Sequence, residues 1–252
     1  MLDNLPTIRV ITVEDAQNRR NNFSKQISKY TDNYKFITFK KFKDSDFTLE
    51  GETLSSLHEN SYGPIASHLA NLYDWYYTCN DDYCIVMEDD LSFLTLNYWN
   101  FTLKEFIEKL PDNWEAVQLV NVSPRLETPE FKNKAWDEWC VAVFIVKRSY
   151  VKKIIDKHII NPKKFNVDLF INNCYILPIV ENILIDYTNK NVYIFPLFVE
   201  DVINCVSTSY ISTIDLPPPP NQFSQPPHHY ESYEFILNWW KNNTITLQRI
   251  FK

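Results

Sequence analysis

Residues 84–93, CIVMEDDLSF, constrain the chain more than any other stretch: an apolar run meets three consecutive carboxylates, Glu88, Asp89 and Asp90, then returns to Leu91 and Phe93. An apolar run without alternation fits a strand covered on both faces, the situation in a largely parallel sheet flanked by helices. Three adjacent negative charges at the end of such a strand are costly to desolvate unpaired. Two readings follow. One is a solvated strand end. The other is a divalent-cation site, because carboxylates are hard oxygen ligands and the carboxyl end of an α/β strand is where such sheets bind ligands.

The flanking segments supply the rest of the sheet. Residues 7–13 (TIRVITV) are β-branched and nearly uncharged, as a first strand should be. Residues 14–30 follow as a helix with Phe23, Ile27 and Tyr30 at helical spacing, and Asn18, Arg19 and Arg20 stand at its start. Residues 34–40 read as a second strand and 41–61 as a loop. In 64–79, Pro64 suits a first helical turn and Ile65, Leu69, Leu72 and Tyr76 form a stripe. Beyond the acidic strand the pattern predicts a helix over 103–110 stopped by Pro111, a buried strand over 116–120 and a polar connection over 123–138. A strand over 140–146, a helix over 149–158, a helical segment over 165–177 and a strand over 192–198 complete the body. This alternation predicts an α/β fold with a mostly parallel central sheet.

Residues 216–229, LPPPPNQFSQPPHH, hold six prolines and read as a rigid linker. Residues 231–252 read as a C-terminal helix with Tyr233, Ile236, Leu237 and Trp240 along one side. The expected organisation is an α/β body over 1–212, a linker over 213–230 and the helix.

Composition removes several function classes. A net charge of −7 opposes bulk nucleic-acid binding, which depends on neutralising phosphates. Five scattered cysteines without a CxxC pair form neither a zinc signature nor a disulfide framework. No basic start followed by an apolar region opens the chain, and no apolar run reaches membrane-spanning length, so a cytoplasmic location is expected, with peripheral membrane association left open. Neither GxGxxG nor GxxxxGK[ST] occurs, which disfavours dinucleotide and P-loop sites. Aromatic residues at 15% suit a carbohydrate-handling surface, or simply a well-filled core.

Six segments in order resemble glycosyltransferase family 25, the group of lipopolysaccharide sugar transferases and collagen β-galactosyltransferases. They are residues 11–20 (ITVEDAQNRR), residues 63–69 (GPIASHL) with Trp75, residues 85–90 (IVMEDD), residues 142–155, the Val167-Asp168 step, and residues 196–199 (PLFV) with Ser209. Thr12 stands where that family usually has Asn, and Tyr150 where it has Gly. The resemblance covers most of residues 7–211 and implies a GT-A fold that moves a hexose, galactose or glucose, from a UDP-sugar to an acceptor hydroxyl with inversion. The acceptor would be a glycan, a lipid-linked glycan or a protein.

The resemblance further implies a Mn²⁺ or Mg²⁺ ion on Glu88 and Asp90. Thr12, Val13, Arg19, Ser67, His68 and Asp89 would line the donor pocket, and Asp168 would be the base. Asp137, Glu138, Glu200 and Asp201 are the other candidates for that proton-accepting role. Two rivals stay open: a catalytically inactive sugar-binding or interaction module on the same fold, and a metal-dependent phosphohydrolase.

Overall fold

The computed structural model describes residues 1–57, 59–123, 127–171, 174–176, 180–201 and 227–252. In chain order the first half holds β1 (Ile8–Val13), α1 (Gln17–Ile27), β2 (Tyr34–Phe39), β3 (Thr48–Glu50), α2 (Tyr62–Thr78), β4 (Tyr83–Glu88), β5 (Leu91–Ser92), α3 (Leu103–Glu108) and β6 (Ala116–Gln118). The second half holds β7 (Lys132–Asn133), β8 (Val143–Lys147), α4 (Arg148–His158), β9 (Ile159–Asn161), β10 (Lys164–Asn166), β11 (Leu169–Ile171), β12 (Cys174–Ile176), α5 (Val180–Leu184), β13 (Val192–Ile194), β14 (Val199–Glu200), α6 (Pro227–Asn242) and α7 (Leu247–Ile250).

Seven strands form the central sheet, in the order β2-β1-β4-β8-β6-β13-β7. Strands β2, β1, β4, β6 and β13 run one way; β8 is antiparallel to both its neighbours and β7 is an antiparallel edge. The fold is therefore mixed α/β with a mostly parallel sheet. The acidic run explains its own place in it. Cys84 and Val86 face one apolar layer and Ile85 and Met87 the other, all four at most 1% exposed. A strand covered on both faces has no room for alternating polarity.

Helix α1 packs through Phe23 and Ile27 on one face of the sheet, while α2 packs through Ile65, Leu69, Leu72 and Trp75 on the other. The chain leaves β1 through α1 to β2, then returns through α2 to β4 on the opposite side of β1. Strands β1 and β4 thus flank a point where the winding reverses, and α/β sheets form a ligand crevice outside the carboxyl ends of the strands at such a point.

One charged residue inside β1 fixes α2. Arg9 is fully buried; its Nε donates to Asn71 Oδ1 at 2.6 Å and its Nη2 meets Asp74 Oδ2 at 2.5 Å. A buried guanidinium left unpaired would be strongly destabilising, so this pairing sets how α2 lies across β1.

Three expectations need correction. The described residues of the expected helical segment over 165–177 are extended: β10 joins β3 and β9 in a small sheet, and β11 pairs antiparallel with β12. Phe165, Val167 and Leu169 are buried and alternate with the less buried Asn166 and Asp168, a period of two that overrides the helical reading. The loop over 41–61 contains β3 and short 3₁₀ turns. The C-terminal helix breaks after Asn242 and restarts as α7, where Thr246 Oγ1 accepts from Arg249 N. Most of the proline-rich stretch, along with Ser209 and the 212 boundary, lies outside the described residues.

Helix α6 is not an appendage. Tyr233, Ile236, Leu237 and Trp240 belong to the same apolar layer as Ile8 and Phe23, and Trp240 Nε1 donates to Pro196 O at 3.0 Å. Ser232 Oγ donates to Ser123 O and accepts from Ser123 N, pinning the helix to the segment after β6.

Candidate functional site

The crevice at the ends of β1 and β4 collects most of the residues expected there. Glu88 ends β4 opposite Ile11, and the chain turns through Asp89 and Asp90 into β5. The three carboxylates take three directions. Glu88 points toward α2, where His68 Nε2 lies 2.7 Å from its Oε1. Asp89 points toward α1: Thr12 Oγ1 donates to its Oδ2 at 2.5 Å, and Arg19 Nε lies 3.2 Å from its Oδ1. Asp90 lies between, with Arg19 Nη1 3.8 Å from its Oδ2 and its buried Oδ1 without a hydrogen-bond partner among the described residues.

Strand β14 closes the crevice. Glu200 pairs with Leu91 across the β5–β14 ladder, and Asp201 N donates to Asp90 O at 2.6 Å. Asn22 and Gln26 of α1 donate to Asp201 Oδ2. Cys140 sits behind this edge at φ 85, the left-handed region that costs a side chain free energy. Two contacts hold it: its Sγ donates to Glu200 Oε1 at 3.0 Å, and its N donates to Glu181 Oε1 at 3.1 Å.

Carboxylates crowd one another at this edge. Burial raises the Asp90 carboxyl well above the usual carboxylate range, and the neighbouring Glu88, Asp89 and Glu200 push it further. Burial also raises Asp89, opposed by the Arg19 guanidinium and the Thr12 hydroxyl. The same causes, burial first and then Glu200, hold the Cys140 thiol protonated. With Arg19 as the cation paired to both aspartates, Glu88, Asp90 and Glu200 form a crowded acidic edge. A cation at that edge would relieve the repulsion.

The donor set suits a hard divalent ion, since it offers carboxylate oxygens and one of them is buried and unpartnered. Among the described residues no three His, Cys, Asp or Glu side chains converge as a complete ligand set.

Other expected residues are placed differently. Arg20 ties the β1–α1 connection, its Nη1 donating to Val13 O at 2.5 Å and its Nη2 to Glu14 O at 2.8 Å, and its Nη1 also donates to Thr12 Oγ1 at 3.3 Å. Ser67 Oγ turns back to Pro64 O on its own helix at 3.1 Å. Glu138 is occupied by Ala135 N and Lys132 Nζ.

Asp168 stands apart from the acidic edge, following β10. Its Oδ2 accepts from Glu52 N at 3.0 Å, and its Oδ1 accepts from Thr53 N at 3.0 Å and Thr53 Oγ1 at 2.8 Å. Gly51 lies against it at φ 147, where a Cβ would fall 2.6 Å from Asp168 Oδ1. Burial acts to raise this carboxyl, but the Thr53 and Glu52 donors outweigh it and hold the group below the ordinary range. A carboxylate so engaged is a cap for the 52–53 turn and a poor base.

No family model matches the sequence, and no curated protein does. The resemblance to glycosyltransferase family 25 therefore rests on its sequence motifs. Among solved structures the chain is similar to a glycosyltransferase involved in the glycosylation of the major capsid of PBCV-1, at 10% identity and a TM-score of 0.34. The match covers 60% of this chain and 66% of that one, just under two-thirds of its length. Likeness at that level carries no functional weight, and the crevice has to supply the argument. Among the described residues, no helix is long and apolar enough to cross a membrane.

Proposed function

We propose that the chain is a GT-A-type glycosyltransferase that moves a hexose, galactose or glucose, from a UDP-sugar to an acceptor hydroxyl, with a divalent cation and inversion at the anomeric carbon. The observation that carries this reading is the crowding of Glu88, Asp90 and Glu200 at the β1/β4 winding reversal. Such a crevice takes a nucleotide, and such an edge takes the cation that accompanies a diphosphate.

Glu88 and Asp90 are the residues that would hold Mn²⁺ or Mg²⁺. When bound, the ion offsets the charge that develops on the departing diphosphate. His68, buried on α2, fixes the Glu88 carboxylate through its 2.7 Å contact. Arg19, held by Asp89, keeps the 89–90 turn in place and lends positive charge at the nucleotide side. Thr12 and Asp89 form the floor between them. Displacement with inversion needs a base at the attacking hydroxyl and no protein nucleophile. With Asp168 committed to a turn, we assign that proton to Glu200, which stands beside Asp90 on the rim.

A donor screen with Mn²⁺, read as release of nucleoside diphosphate and by calorimetry, tests the reading. UDP should bind more tightly than GDP or CMP, and only with the cation present. Glu88→Gln and Asp90→Asn should each abolish cation-dependent binding in a folded protein. Glu200→Gln should keep UDP–Mn²⁺ affinity and lower turnover by about 10²–10⁴-fold. Turnover by Asp90→Asn in the presence of a chelator would refute the cation site. Binding of UDP–Mn²⁺ without turnover on any acceptor would leave a sugar-nucleotide-binding module instead.

A further inference from the structure

Among the described residues two that are not glycine have positive φ, Asn4 at 57 and Cys140 at 85. Asparagine visits that region readily; a cysteine does so at a cost that glycine would avoid. A side chain stays in such a conformation only where its surroundings hold it there, and active sites are where such residues collect. The buried Cys140 is held on two sides. Its thiol donates to Glu200 Oε1 at 3.0 Å, its N donates to Glu181 Oε1 at 3.1 Å, and Ala142 N donates back to its Sγ at 3.4 Å. One residue thus ties strand β14 to helix α5. It does so beside the end of β4, because Ala142 O, two residues on, accepts from Glu88 N at 2.8 Å.

We propose that Cys140 is a positioning residue for Glu200, its thiol holding that carboxylate at the acidic edge; the consequence for turnover rests on the transferase reading above. Glu200 has need of such a tie. It is partly buried on a strand of two residues, and Glu88 and Asp90 crowd the same place. Like charges at close range repel, so an unheld carboxylate would swing away from them toward water. A hydrogen bond from a residue that is itself fixed at both N and Sγ keeps it in place.

The kind of donor suits a group that must take up a proton. An arginine or lysine beside the carboxylate would stabilise its charge and reduce its basicity. A thiol is a weak neutral donor, and it orients the carboxylate while leaving most of that basicity. Burial, and after it Glu200, keeps the Cys140 thiol protonated, so it serves as a donor and not as a nucleophile.

The test uses the full chain, with turnover of the UDP-hexose found in the donor screen, UDP–Mn²⁺ calorimetry, thermal melts and infrared spectroscopy. Cys140→Ala should lower kcat by about ten- to a hundredfold, the scale of a displaced catalytic group, with UDP–Mn²⁺ affinity unchanged. Cys140→Ser keeps an O–H donor and should restore most of the rate. Cys140→Gly relaxes the backbone, so it should melt no lower than Cys140→Ala and still turn over as slowly. In a Glu200→Gln background Cys140→Ala should cost little more, because the thiol acts through that carboxylate. The infrared measurement reads the contact without activity and leaves Cys140 in place: the S–H stretching band that is lost in Cys140→Ser should move to higher frequency in Glu200→Ala. The proposal is overturned if that band does not move, if Cys140→Ala and Cys140→Gly turn over like the parent protein, or if Cys140→Ala loses the same factor in Glu200→Gln. If the band moves and the parent protein transfers no hexose, the tie between the thiol and Glu200 stands and the transferase reading falls.

Discussion

Replacing Asp168 with alanine should lower stability and leave the chemistry nearly intact. The carboxylate accepts three hydrogen bonds from Glu52 and Thr53, and Gly51 is shaped around it. Summed as charge-assisted bonds at about 1.5–3 kcal/mol each, they would suggest well over 4 kcal/mol. That sum overstates the loss, because Glu52 is exposed and water can reach the released donors. The closer analogy is removal of a capping side chain, about 0.5–2 kcal/mol. For a chain of this size that corresponds to a Tm lower by roughly 1–8 °C. Asp168→Asn keeps one acceptor oxygen and should cost about half as much. The pH dependence has a definite sign. The folded pKa is depressed, so the carboxylate stabilises the fold above the unfolded value near 3.8 and the benefit is lost as pH falls through the folded pKa. Parent and Asp168→Ala melting curves should therefore converge in acid. Calorimetric melts across pH, paired with turnover, decide the matter. A normal Tm with turnover reduced by about 10²-fold or more would refute the capping argument and make Asp168 the base.

Arg19→Met should destabilise by about 3–5 kcal/mol, because it strands the buried Asp89 carboxylate, and adding Asp89→Asn should recover part of that loss in urea melts. Strictly additive effects would show that the two side chains are not coupled. His158 is buried with Nδ1 2.9 Å from Asn166 O, and burial pulls its pKa down to about 4. The unfolded chain gains that proton near pH 6.5 and the folded protein only near 4, so this group should remove about 3 kcal/mol of stability as pH falls across that window. His158→Gln should flatten the slope, and an unchanged slope would assign the acid sensitivity elsewhere. Trp240→Ala should cost about 3–5 kcal/mol, and the partly buried Trp239 less, because Trp240 packs between Trp99, Phe101 and Phe195. Equal losses for the two would mean that α6 is seated differently.

The fold was legible where the signal is local. The unalternating run at 84–87 announces a strand covered on both sides, and the stripe of Ile65, Leu69 and Leu72 announces the helix beside it. A short apolar stretch such as the one from 165 fits both periods, and the register of Phe165, Val167 and Leu169 is decided by what covers them. The C-terminal helix was legible as a helix, but its membership of the core was not. Nothing near Trp240 in sequence points to its partner Pro196, 44 residues away.

The site divides along the same line. The sequence assigns Glu88 and Asp90 to a cation and Asp89 to the donor pocket, and the structure gives each of the three its own partner. Glu88 belongs to α2 through His68, 20 residues away, and Asp89 to β1 and α1 through Thr12, 77 residues away. Asp90 is left beside Glu200, with an oxygen that no described side chain satisfies. A strand alternates its side chains, so adjacent acids cannot all serve one ligand from the same face. What they can do is divide the labour: Asp89 spends its charge on Arg19 and holds the turn rigid, and that rigidity keeps Glu88 and Asp90 close to a third carboxylate against their mutual repulsion. The repulsion is the reason to look for a cation there. Strand alternation already set Asp89 apart from Glu88 and Asp90 in the sequence; what the sequence did not supply is Arg19, His68 and Glu200 as their partners, each reaching the strand end from a different element.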